Sequence, residues 1–285
     1  MSTLEMQTTQ KKYYRKLNSR TNFDIFLAVA MVAVCFITLY PVWYTVVISF
    51  NDAKDALRGG IYWWPRIFSL ESYKSVFMDK SIMNSFVVSI ARTVVGTITS
   101  VLFTAMVGYA FSKKHIMGNK FYLIFGTITM FFSGGLIPQF VVYKNLGLYN
   151  SFWVYILPSL FNFYNMIIFM SFFRGLPASL EESAKLDGAG EFRIYWTIVM
   201  PLVKPAWITL VILNFQSLWN TYGSTTVYRE DLKMLSYAIN QIASAGVART
   251  GTLNAVQLVM IIVPIAVFIF SQSNVMETMA HSGMK

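Results

Sequence analysis

Asn214, Gln216, Trp219, Asn220 and Tyr222 crowd into one apolar stretch of the chain, and Asn162, Tyr164 and Asn165 into another. Carboxamides bond hydroxyl groups and aromatic rings offer flat faces, so these side chains could line a route for a hydroxyl-rich solute such as a sugar. The same groups could instead bond helix to helix or chain to chain, and the residues alone do not choose. Arg92 lies about ten residues inside a third apolar stretch. A charge at such depth serves either a solute or the structure, through helix carbonyls or by snorkelling. Bond-making chemistry is poorly provided for. The sequence holds no nucleophile, base and orienter set and no G-x-x-x-x-G-K-[ST] phosphate loop. The single cysteine, Cys35, excludes an internal disulfide, and His115 and His281 stand far apart with no partner at metal-ligand spacing. An enzyme is not expected, nor a metal or cofactor bound by this chain.

Composition says what solvent the elements meet. Of the 285 residues, 55% are hydrophobic and only 13% charged, against about 25% charged in ordinary soluble domains. Lipid is the expected solvent. The net charge of +10 could suggest nucleic acid, but the basic residues cluster between apolar runs, as in loops beside an anionic membrane, and no nucleic-acid recognition motif accompanies them.

Six stretches approach or exceed the roughly 20 apolar residues that a crossing helix needs. They are Phe23 to Phe50, Ile82 to Phe111, Phe121 to Tyr143, Ser151 to Phe173, Ala206 to Tyr228 and Ala255 to Ser271. An all-α, polytopic membrane protein with six transmembrane helices is therefore expected, as one membrane domain over 23–275 between an N-terminal tail (1–22) and a C-terminal tail (276–285). The first stretch is too long for a cleaved signal and lacks a clear cleavage site. Lys11, Lys12, Arg15, Lys16 and Arg20 face one acid, Glu5, in the N-terminal tail, which places that tail in the cytoplasm. Six spans return the C-terminus to the same side. Lys113, Lys114 and Lys120 put loop 112–120 inside, and Arg174, Lys185, Arg193 and Lys204 do the same for 174–205. Loops 51–81, 145–150 and 229–254 then lie outside, where Trp63 and Trp64 suit the interface.

Segment 175–205 carries helical punctuation. Ser179 and Glu182 have capping-box spacing behind Pro177. Glu181 and Glu182 occupy the first turn, and Gly188 is placed as a C-terminal cap. A short helix from about Leu180 to Asp187 is expected, its face of Leu180, Ser183, Ala184 and Asp187 small enough to enter a partner's groove. A second helical stretch, from about Glu191 to Met200, should end at Pro201. A solvated amphipathic loop helix is the plain alternative.

The run EESAKLDGAGEFRIYWTIVMPLVKP (181–205) resembles the EAA motif of ABC-importer permeases: EAA, three residues, Gly, nine residues, then I-x-L-P. Glu182, Ser183 and Ala184 stand for EAA, Gly188 for the glycine, and Ile198 to Pro201 for the close, with Ser183 and Met200 as mild departures. The order of spans and the NFQSLWN stretch are similar to MalG-like carbohydrate permeases. FFSGGLIP (131–138) and KNLGLYNSFW (144–153) resemble their LplC- or YtcP-like oligosaccharide and polysaccharide subset. The resemblance implies a MetI-like permease fold in a bacterial cytoplasmic membrane, paired with a second homologous permease. It implies two ATPase subunits that bind ATP and Mg and receive the short helix, and an extracytoplasmic sugar-binding protein that contacts loop 229–254. Glu182, Ser183, Ala184, Asp187, Gly188, Ile198 and Pro201 would then transmit the ATPase motion. The motif serves importers of many solutes, so a peptide or amino acid stays open as substrate. A secondary transporter is disfavoured because no Asp or Glu lies deep in a span.

Overall fold

The computed structural model describes residues 21–113, 116–221, 226–246 and 249–283. Among them the regular elements are helices, apart from one isolated antiparallel bridge between Asn51 and Phe68. A bilayer offers no water to the backbone, so a crossing segment must satisfy its own N–H and C=O groups, and a helix does so. Three helices are long and apolar enough to cross alone: α1 (Thr21–Ser49), α3 (Lys80–Ser112, preceded by the short α2, Glu71–Met78) and α11 (Thr250–Gly283), whose apolar part is Thr250–Gln272. Asp79 starts α3, accepting the N–H groups of Ser81 at 2.9 Å and Ile82 at 3.4 Å. Pro41 and Pro264 sit inside α1 and α11 without breaking them.

Two of the other three expected spans are broken. Helix α4 (Asn119–Phe131) and α5 (Leu136–Asn145) meet at 118°. Phe132 to Gly135 interrupts them because Gly135, at φ 80°, adopts a backbone that a helix cannot continue. At about 20 Å, α4 alone falls short of the roughly 30 Å hydrocarbon core. The fourth span opens as 3₁₀ turns over Phe152–Ser159 around Pro158 and becomes α6 (Phe163–Arg174) after a 44° bend. The fifth is α9 (Lys204–Asn220), shorter than expected at its far end, and it lies at 82° to α8 (Glu191–Leu202). Apolar runs in sequence thus overstate the straightness of two of the six expected spans, and the third bend falls at Val203, between the segment before the fifth span and that span.

One face of α3 is built from small side chains. Ser85, Ser89, Thr93, Gly96, Thr97, Ser100, Thr104, Ala105 and Gly108 recur every three or four residues and are buried. Small residues let backbones approach where lipid supplies no hydrophobic drive between helices, and here α6 and α9 pack on that face. Helix α11 packs on α1 and α9. Much of α1 has no cover within the chain; Phe26, Val29, Val32 and Ile37 are exposed.

The loops sort to two ends. At one end, Arg174 donates to the Phe111 carbonyl at 3.2 Å and Asn119 to the same carbonyl at 3.3 Å. At the other, the Asn150 side chain accepts from the N–H groups of Tyr228 and Arg229, Asn84 donates to the Asp231 carbonyl, and Tyr155 to the Leu232 carbonyl. Segments expected on one side of the membrane therefore meet one another.

Candidate functional site

Helix α7 (Ala178–Leu186) begins and ends sharply. Its start is Pro177, in extended conformation at φ −62° and ψ 128°, with no side-chain cap. The expected capping box does not form, because Ala178 and Ser179 already belong to the helix and Ser179 no longer precedes it. The expected helix 180–187 is correspondingly shifted to 178–186. Its end is a Schellman motif: the Gly188 N–H bonds the Lys185 carbonyl at 3.0 Å and the Ala189 N–H bonds the Ala184 carbonyl at 2.9 Å. Gly188 holds φ 80°, which glycine adopts without strain, and Asp187 is the last capping residue, exposed.

The helix has two faces. Ala184 is buried in a cluster with Tyr109, Phe173, Ile194 and Tyr195, against which Ile198 also packs. The shared face of Leu180, Ser183, Ala184 and Asp187 therefore does not turn outward as a unit; Ala184 fits the chain's own core, where its small size is needed. The outward stripe is Ser179, Glu182, Ser183 and Leu186 at helical spacing, and Leu186 is 90% exposed. Phe192, 70% exposed, stands beyond the cap. An apolar leucine, a carboxylate and a small hydroxyl on a rigid, bulk-free helix offer a contact for another protein.

Helix α8 runs through Pro201 to Leu202 instead of stopping before it. A wide π turn over Tyr195–Val199 makes this possible: proline has no N–H for the Thr197 carbonyl and its ring crowds that turn. Pro201 itself is exposed.

Charged groups fasten this segment through pairings that the sequence alone did not reveal. Lys113, at the end of α3, pairs with Glu181 of α7 and stands 4.1 Å above the Tyr109 ring. The Tyr109 hydroxyl lies 3.5 Å from a Glu191 carboxylate oxygen, and the other Glu191 oxygen is 2.5 Å from Lys185 Nζ. The Glu191 carboxylate raises the Lys185 pKa, and Lys185 in turn lowers that of Glu191. The i, i+4 spacing of Glu181 and Lys185 suggests a pair within α7, but each side chain pairs instead with a partner outside that helix.

The polar residues of the spans divide. Asn165 donates to the Asn214 side chain at 3.3 Å, both buried, and Trp219 Nε1 donates to the Met260 carbonyl at 3.0 Å. These three bond helix to helix. Asn162 caps α6 by accepting the Asn165 N–H. Asn162, Tyr164, Gln216 and Asn220 are exposed, and Tyr222 lies outside the described residues. Arg92 is buried, donates to the Leu218 carbonyl at 2.8 Å and to Met234 sulfur at 3.1 Å, and lies 5.4 Å from the Tyr155 ring centre. A helix leaves its last carbonyls unsatisfied and negative, and Arg92 meets that need for α9. The cavity beside it, ≈ 10 Å³, holds about one water and no sugar ring.

The family model described as "binding-protein-dependent transport system inner membrane component" matches residues 75–276. Protein LplC of Bacillus subtilis is 36% identical over 209 residues, covering 73% of this chain and 71% of LplC. The B. subtilis polygalacturonan/rhamnogalacturonan transport system permease protein YtcP is 35% identical over 209 residues, 73% of each chain. Among solved structures, a chain of a bacterial ABC transporter that imports the acidic polysaccharide alginate superposes with a TM-score of 0.83 at 28% identity, over 90% of this chain and 97% of that one.

Proposed function

Because this chain belongs to the family of binding-protein-dependent transport system inner membrane components, we propose that it is one of two homologous permeases in an ATP-driven importer of oligosaccharides. Its relatives are transport permeases and not enzymes. The sugar assignment is supported by the similarity to YtcP and to the alginate importer. The chain would sit in the bacterial cytoplasmic membrane with both termini in the cytoplasm. A second permease completes the path, two ATPases bind ATP and Mg below it, and an extracytoplasmic binding protein delivers the sugar above it.

The observation that carries the coupling role is the two-faced α7. Ala184 holds it to the core while Glu182, Ser183 and Leu186 face outward, and Gly188 turns the chain sharply back. Pushed from below by an ATPase, such a helix moves as a body, and rigid-body motion across an interface is how two-state switching proceeds. Gln216, Asn220, Asn162 and Tyr164, exposed at polar positions of apolar spans, are the residues of this set placed to meet sugar hydroxyls. Asn165, Asn214, Trp219 and Arg92 support the helices that carry them.

The test is the assembled complex in vesicles. Glu182→Lys should leave the protein folded and inserted but remove the stimulation of ATP hydrolysis by sugar-loaded binding protein. Undiminished uptake by that variant rejects the coupling role, and solute movement by this chain without ATPases rejects the class.

A further inference from the structure

Helix α3 is fastened at both ends by polar side chains. Near α7, Lys113 pairs with Glu181 and lies over Tyr109, whose hydroxyl approaches Glu191. The Lys113 and Glu181 side chains are only 27% and 23% exposed, so solvent screens this link less than a surface pair. At the opposite end, the Ser89 hydroxyl accepts the N–H of Leu235, first residue of α10 (Leu235–Ser244), at 2.8 Å. One turn along, Arg92 reaches Met234, which immediately precedes α10, and the Leu218 carbonyl. The same helix thus grips the coupling helix below and the helix of loop 229–254 above. Between Arg92 and Tyr109 it is unbroken and contains no proline, a rod of about 25 Å.

Packing alone would not link the two ends. Apolar contacts such as that of Ala184 keep α7 near the core yet permit sliding, whereas an ion pair with a cation–π contact at one end and a hydroxyl–amide bond at the other fix direction. We propose that α3 is a strut that carries displacement of α7 to α10 on the opposite face, with Lys113 and Ser89 as its positioning residues. The inference rests on the reading of α7 as the ATPase contact. It assigns a route by which nucleotide state reaches the outer loop without passing through the polar face of α9.

The strut can be tested in the complex purified with its partner permease, ATPases and binding protein and reconstituted in vesicles. Cys35→Ser removes the native thiol, and Gln241→Cys places a reporter on the exposed side of α10. Labelling by a membrane-impermeant maleimide is timed without nucleotide and after trapping with ATP and vanadate. Trapping should change the labelling rate, and Lys113→Glu should shrink that change about fivefold or more, the low end of measured couplings between sites, with trapped nucleotide undiminished. The exchange Lys113→Glu with Glu181→Lys should restore it, which a general loss of packing would not allow. A full change in Lys113→Glu, a reporter unmoved by trapping with the joint intact, or an exchange that restores nothing each overturns the strut. A complex that traps no nucleotide removes the ATPase reading itself, and the two failures are told apart by the nucleotide measurement.

Discussion

Gly108 lies against Phe169 where α3 meets α6: a Cβ at position 108 would stand 2.9 Å from Phe169 Cβ and 3.2 Å from the Met166 carbonyl. Both neighbours are close to or part of the backbone and cannot swing aside. Gly108→Val should therefore push the helices apart and destabilise the protein by about 1–3 kcal/mol, the usual cost of overpacking. Thermal melting of the purified protein in detergent checks this. An unchanged melting temperature would show that the two helices are not held at this distance.

At the end of α7 the constraint is backbone shape and not space. Gly188 holds φ 80° and nothing lies within 4 Å of the site of a Cβ. Gly188→Ala should cost about 1–2 kcal/mol of local stability through its left-handed backbone and reduce stimulated ATP hydrolysis only modestly. Gly188→Pro cannot adopt that angle and loses the N–H that bonds Lys185, so stimulation should vanish. Equal activity of the alanine and proline variants would sink the Schellman cap as a working part.

The two faces of α7 should respond oppositely. Leu186 is exposed, so Leu186→Asp should change stability by no more than about 0.5 kcal/mol while releasing the ATPases on affinity purification. Ala184 is 7% exposed in the core cluster, so Ala184→Leu should lower the melting temperature first. Retention of the ATPases by Leu186→Asp would move the contact elsewhere.

Much of this arrangement could be read from the chain. Hydropathy located the three long apolar helices and the bent pairs beside them, because apolarity is a bulk property of a run of residues. It did not show that Gly135 and Pro158 break two of the expected spans, since a broken helix at membrane depth needs neighbours that satisfy its freed carbonyls, and neighbours are not in a window of sequence. The short helix after Pro177 and its glycine turn were legible through Gly188 and spacing. Which face of α7 points outward was not: Ala184 and Ser183 are similar in size, and only the position of Tyr109 and Tyr195 decides that Ala184 turns inward. For Asn165, Asn214 and Trp219 the sequence left solute contact and helix bonding equally open, because the same groups serve both. The small-residue face of α3 was present every fourth residue from Ser85 to Thr97, a spacing readable without coordinates.

Outside the spans, Asp55 offers a pH handle. The Asn51 side chain bonds its carboxylate at 3.1 Å and Arg66 at 3.0 Å, and these lower its pKa against a smaller effect of burial. A carboxyl with a depressed native pKa contributes stability that is present above the unfolded value, about 4, and is lost as pH falls through the native value. Loop 51–69 should therefore loosen in acid below about pH 4. Asp55→Asn should loosen it at neutral pH and flatten the acid dependence. Hydrogen exchange of the Asp52 and Ser69 amides, which bond Ile67 and Phe50 carbonyls across the loop, reports both; exchange that is insensitive to Asp55→Asn counts against the link.

Arg92 separates a structural charge from a solute contact. Its partners are the Leu218 carbonyl, the Met234 sulfur and the Tyr155 ring, and the space beside it admits about one water. Among the described residues it forms no ion pair. Arg92→Met keeps an unbranched apolar stem and removes the donor to α9, a charged hydrogen bond of about 1.5–3 kcal/mol. The melting temperature should fall accordingly. The solute concentration for half-maximal uptake should stay within about twofold, well short of the tenfold that 1.4 kcal/mol of lost binding would bring. The reverse pattern, an intact melting temperature with weakened solute dependence, would place the guanidinium on the transport route.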